Sequence, residues 1–130
     1  MLYEFLGIKD GSLGGVRWHD KAMSGFSRRS ASVLARAMGL PANELMACLG
    51  EPVEPGQAPL SPRQSEALLR IALALHRLTT ALGNAQQAAA SLRAAQPALE
   101  GRVPLELLRT AAGTELVFDW IAKKQDRSRK

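Results

Sequence analysis

The sequence predicts an all-α fold, and three observations carry that expectation. Apolar residues make up 46% of the chain but aromatics only 5%, so the core must be filled by Ala and Leu, which suit closely packed helices. β-branched residues, which favour pleated surfaces, are scarce. Cap and stop signals also divide the chain at helical spacings. At 130 residues it is long enough for one compact domain or two small helical subdomains sharing a core.

In order along the chain, Gly7, Gly11, Gly14, Gly15 and Gly25 make residues 7–25 a stretch of loops with a short helix. Ser27 is a good N-cap for a helix to about Met38, with Val33, Leu34, Ala37 and Met38 as its apolar stripe and Gly39 as its stop. Pro41 suits the first turn of a second short helix, in which Leu45, Met46 and Leu49 are apolar and Gly50 ends the run. Three prolines and a glycine in residues 51–60 forbid a continuous helix and mark the clearest internal boundary. The chain divides there into residues 1–59 and 60–130.

Ser61, Pro62 and Gln64 then spell a capping box with proline at the first helical position. The helix they open runs to about Leu82. Its seam of Leu68, Ile71, Leu75, Leu78 and Leu82 is widened by Leu69, Ala72 and Leu73. A helix this apolar is covered on two sides, either by the core and a second copy of the chain or by a monomeric bundle around it. Gly83 and Asn84 stop it and cap an Ala-rich helix through about Ala94, which Gln96-Pro97 breaks. Pro104 starts a short helix to about Ala112, Gly113-Thr114 resets the chain, and Glu115 to about Lys124 forms the last helix. Leu116, Val117, Trp120 and Ile121 give that helix an apolar side.

The net charge of +5 is a property of the C-terminus. Lys123, Lys124, Arg127, Arg129 and Lys130, with Asp126 the one acid, give the last eight residues +4. That is a solvated tail rather than a basic face on a folded module. Enzyme chemistry finds little footing, and no catalytic residue, metal site or cofactor is expected. The two histidines, His19 and His76, and the lone Cys48 offer no metal-ligand spacing. His76 lies on an apolar helix and reads as a packed histidine, and Cys48 as a small buried hydrophobe. Gly11-Ser12-Leu13-Gly14-Gly15 lacks the preceding strand a phosphate loop needs. No apolar run approaches the ~20 residues of a membrane span, and Met1–Leu6 lacks a signal peptide's basic start. A cytoplasmic protein is expected.

From Leu60 to Ile121 the chain resembles the C-terminal toxin-binding domain of the Xre/MbcA/ParS antitoxins. Leu60-Ser61-Pro62 matches that family's helix start. Leu99, Gly101, Pro104, Leu107, Leu108, Thr110 and Gly113 fall on its Leu-x-Gly-x-x-Pro-x-x-Leu-Leu-x-Thr-x-x-Gly pattern. Ser91 stands where the family has Trp, and Ala95-Gln96 where it has Pro-Asn. Gly25–Gly50 resembles the family's Xre-like helix-turn-helix region. There the family's basic recognition helix is replaced by residues 51–60, which carry two glutamates and no Lys or Arg. A groove-reading helix needs basic and amide side chains on one face.

The resemblance implies a helix-turn-helix-like region packed on a helical toxin-binding domain. It also implies an antitoxin of a type II system that neutralises a RES-domain toxin, one that consumes NAD or transfers ADP-ribose, by direct binding and occlusion of its active site. A homodimer within a hetero-oligomeric complex is expected. The alternative is an autorepressor on its own operator, with Arg28 and Arg29 as the candidate DNA contacts. The toxin contact is placed on the last helix and tail, at Phe118, Trp120, Lys123, Lys124, Gln125 and Arg127. Gly101, Pro104, Leu107, Leu108, Thr110 and Gly113 form the bracket that aims it. Phe118 and Trp120, two apart, point to different sides of a helix. Either one of them anchors a partner, or Trp120 closes the core and Phe118 meets a neighbour.

Overall fold

Six α-helices and one short 3₁₀ turn make up the described part of the chain: α1 (Arg28–Met38), α2 (Ala42–Ala47), α3 (Pro62–Leu82), α4 (Ala85–Arg93), the turn Pro97–Leu99, α5 (Pro104–Leu107) and α6 (Ala111–Ser128). This computed structural model describes residues 25–49, 53, 54, 57 and 59–128. The expectations for residues 1–24, His19 among them, and for a stop at Gly50 lie outside those residues. Among the described residues there is no strand, only a single antiparallel bridge between Gln96 and Arg102. The fold is all-α.

The capping signals work as the sequence predicts. Ser27 accepts from the N–H of Ser30, and Gly39 closes α1 at φ 70°. Ser61 and Gln64 form a reciprocal capping box at the start of α3, and Gly83 ends it at φ 75°. Asn84 accepts from the N–H of Gln87 to open α4. Two details of the first helices differ. Pro41 is the N-cap of α2 rather than its first residue, and Leu49 is buried just beyond the helix end. Cys48 is half-buried, its thiol donating to the Glu44 carbonyl at 3.4 Å.

α3 packs most extensively against α6 and α4, and α1 lies against α4 and α2. The predicted leucine seam of α3 is used within the protomer. Leu68, Ile71, Leu75 and Leu78 are all buried in one core that extends from Phe26 to Ile121, while Leu82 is half-buried. That core holds residues from both sides of the 51–60 boundary. Leu69 and Leu73, half-buried, lie on the flank of the seam.

Polar bonds fasten the two sides together. The N–H of Phe26 donates to the buried Ser65 hydroxyl at 2.8 Å, and the N–H of Leu60 donates to the Phe26 carbonyl at 2.9 Å. Gly25 sits so close that a Cβ there would meet the Leu60 carbonyl oxygen at 2.5 Å, so its φ of +94° and the contact both require glycine. Arg28 donates to the carbonyls of Glu54 and Gln57, and Gln57 donates to Gln64 at 2.6 Å. Glu54 and Gln57 are thereby tied to α1, and Gln57 also to the start of α3. Ser65→Val should remove one buried hydrogen bond and lower unfolding stability by about 1–2 kcal/mol in a denaturant titration. An unchanged midpoint would show the Phe26–Ser65 bond to be dispensable.

Candidate protein-binding surface

The surface that faces outward is built by the turn after α4. Gln96 donates through its backbone N–H to Arg102 and accepts from Gly101, closing a tight loop. Its side-chain amide reaches back to the Ser91 carbonyl at 2.9 Å. The residue standing in place of the family's Asn therefore fastens the loop to the end of α4. Glu100 and Gly101 both take left-handed backbone angles, φ 58° and 77°. Nothing lies within 4 Å of the Cβ position at Gly101, so conformation rather than crowding calls for glycine there. Pro104 then opens α5 as its first residue, and Leu105 and Leu108 turn into the core.

α6 begins earlier than the sequence suggests. The expected short helix to Ala112 ends at Leu107, and Gly113-Thr114 is no reset. Thr110 instead accepts a hydrogen bond from the N–H of Gly113 at 2.9 Å, which caps the new helix. Thr114 adds a second tie, its hydroxyl donating to the Thr110 carbonyl at 2.6 Å. Gly113 lies in the first turn of α6, pressed against the Leu107 carbonyl, with Thr110 Oγ1 2.9 Å from where a Cβ would be. Arg109 donates to the Ala47 carbonyl at the end of α2 at 3.1 Å, a tie between residues far apart in the chain.

This bracket leaves an open hollow of about 440 Å³ lined by Ala98, Leu99, Glu100, Arg102, Leu107 and Leu116. Leu116 is 55% exposed, the one large exposed hydrophobic among the described residues. Its position on the outside corrects the expectation that it belongs to the apolar side of the last helix. Val117, Trp120 and Ile121 do turn inward.

The residues expected at the toxin contact are placed variously. Trp120 is 6% exposed and part of the core, with the Lys124 ammonium 5.0 Å above its ring. Phe118 is half-buried beneath the Arg77 guanidinium at 4.7 Å. Gln125 donates to the Arg77 carbonyl at 3.5 Å. Lys123 is exposed, and Arg127 lies on the last turn of α6. Phe118 and Gln125 thus tie α6 to Arg77 of α3, Lys124 covers Trp120 within α6 itself, and Leu116 is the apolar group the sequence reading missed as an outward one.

Of the candidate DNA contacts, Arg29 is exposed, whereas Arg28 spends its guanidinium on the Glu54 and Gln57 carbonyls. α2 carries Glu44 and no Lys or Arg. On α3, burial above all holds His76 below the usual histidine range, and neighbouring positive charge, including Arg77, acts in the same sense. Among the described residues no group of His, Cys, Asp and Glu is arranged to hold a metal ion. None of the described helices is long and apolar enough to cross a membrane.

The helical bracket places an exposed leucine beside an open hollow with apolar lining, a surface of the kind a protein partner can cover. Residues 77–121 match the model of the antitoxin Xre/MbcA/ParS C-terminal toxin-binding domain, which supports the resemblance to that antitoxin family. The match runs from the middle of α3 to Ile121 and contains every residue lining the hollow. The match supports an antitoxin role and implies a toxin as the partner. No curated protein matches the chain.

Proposed function

We propose that the chain is the antitoxin of a type II toxin–antitoxin system and neutralises a RES-domain toxin that consumes NAD or ADP-ribosylates a target. Neutralisation is stoichiometric: the antitoxin binds the toxin and covers its active site, with no catalysis of its own. The observation that carries this reading is that α6 begins within the matched toxin-binding segment, Ala111–Ile121 falling inside it, and continues beyond it to Ser128. Its 18 residues span about 27 Å at 1.5 Å per residue. The α5 bracket orients its start, and the Arg77–Phe118 contact, the Gln125–Arg77 hydrogen bond and the buried Trp120 secure it beyond the middle. A helix fixed in this way can occlude a cleft at little further ordering cost. Lys123 and the basic residues beyond it supply steering toward acidic groups on the toxin. Residues 60–130 would be the unit that engages the toxin, with 1–59 as a degenerate helix-turn-helix region packed on it.

Because the α3 seam is already buried, pairing of two antitoxin copies inside the complex would use the flank marked by Leu69 and Leu73. The test is direct. The toxin encoded by the adjacent reading frame is purified and its NAD turnover followed while this protein is titrated in. Loss of turnover at a fixed molar ratio, together with a co-eluting complex, is the expected result. Undiminished turnover at saturating antitoxin would refute it.

A further inference from the structure

We infer that the hollow beside Leu116 is the anchor socket of the toxin interface, and that it receives an apolar side chain projecting from the toxin's surface. This inference rests on the antitoxin reading above and specifies where the contact is made.

Three independent features meet there. Leu116 is 55% exposed, although a large aliphatic side chain gains from leaving water. The hollow next to it has an apolar floor of Leu99 and Leu107 and a charged lip formed by Glu100 and Arg102. An apolar centre within a polar rim is the anatomy of a protein interface, and a buried anchor in such a centre carries a large share of the affinity. Finally, Glu100 holds a left-handed backbone, φ 58° and ψ 33°, which costs a non-glycine residue free energy. Backbone outliers of this kind collect at ligand clamps, where the surrounding fold holds them in place. Here the Gln96–Arg102 bridge closes the loop that carries Glu100.

The occupant is the toxin rather than a second copy of this chain. All six lining residues fall within the segment matched to the toxin-binding domain. The chain offers no second exposed large hydrophobic among the described residues to fill the hollow of a copy. The oppositely charged lip residues suit a partner segment that presents an apolar side chain flanked by polar groups, so that neither Glu100 nor Arg102 is left unpaired.

The test uses the full chain and the toxin from the adjacent reading frame, with affinity measured by calorimetry and mass by light scattering. Leu116→Asp places a charge at the mouth of the hollow on a residue already exposed, so its melting temperature should match the wild type. Ala98→Trp fills the hollow and leaves Leu116 in place. Both variants should bind the toxin at least 50-fold more weakly, with the antitoxin's own mass unchanged. Wild-type affinity in either variant would overturn the socket while leaving the antitoxin reading intact. A change in the antitoxin's own mass without loss of toxin affinity would assign the hollow to a second copy. Failure of the wild-type protein itself to bind would overturn both readings together.

Discussion

Gly113→Ala should destabilise the protein, although alanine is the better helix former. In an ordinary helix interior the exchange gains about 1 kcal/mol, because glycine has more backbone freedom to lose. Gly113 lies within α6, so helix propensity alone predicts stabilisation. The close approach of the Leu107 carbonyl reverses the sign. A Cβ at position 113 would enter the space of that oxygen, and it would also lie 2.9 Å from both the Leu107 carbonyl carbon and Thr110 Oγ1. The obstacles are backbone and a capping hydroxyl that is already hydrogen-bonded to the Gly113 N–H, so neither can move freely. Relief requires α5 to shift away from α6 or the Thr110 cap to break. Overpacking of this kind typically costs about 1–3 kcal/mol, and loss of a threonine cap about 1 kcal/mol. The net expectation, both costs less the gain in propensity, is a loss of about 1–3 kcal/mol, a fall of roughly 3–15 °C in melting temperature for a domain of this size. Thermal unfolding followed by circular dichroism checks it, and a raised melting temperature would show that the turn relaxes freely. The same shift would re-aim α6, so toxin neutralisation should decline even at temperatures where the protein stays folded.

The positions where sequence reading succeeded and failed have a common physical basis. Ser27, Ser61, Asn84, Gly39 and Gly83 act on atoms within a few residues of themselves, so their roles are visible in a linear pattern. Gly113 looks like the same kind of stop signal. Its role depends on the Leu107 carbonyl six residues earlier, which comes near only because α5 is a single turn long. Thr110 is the true start signal, and the glycine beside it masked that.

Leu116 was illegible for a different reason. It lies one turn before Trp120, on the margin of the apolar stripe of α6, where periodicity cannot decide between inside and outside. Whether a marginal residue is covered depends on a neighbouring element, and the Pro97–Leu99 turn leaves a hollow there instead of a lid. The leucine seam of α3 was fully legible as apolar. What covers it was not, because a covering helix and a covering second copy demand the same pattern.

Trp120→Ala should lower stability by about 3–5 kcal/mol, as truncation of a core aromatic does. Trp120 is 6% exposed, and Val117 and Ile121 accompany it on the inward side of α6. Its large, rigid ring is also what a partner-anchoring residue would offer, and its place near the C-terminus invites that reading. The two roles separate cleanly in experiment. A core role predicts a large drop in melting temperature and, at a temperature where the variant is still folded, a toxin affinity within several-fold of the wild type. An anchor role predicts an unchanged melting temperature and loss of affinity. Lys124 sharpens the comparison. Its ammonium lies over the Trp120 ring, an exposed-site cation–π contact of about 0.5–1 kcal/mol. Lys124→Gln should therefore remove a small part of the stability that Trp120→Ala removes wholesale. If Lys124 met the toxin instead, its loss would appear as salt-sensitive weakening of binding with no change in melting temperature. Both aromatic residues of α6 face a cation of their own chain, Phe118 under Arg77 and Trp120 under Lys124. Each ring is thus engaged within its own chain, and Leu116 is the large apolar side chain left outward among the described residues.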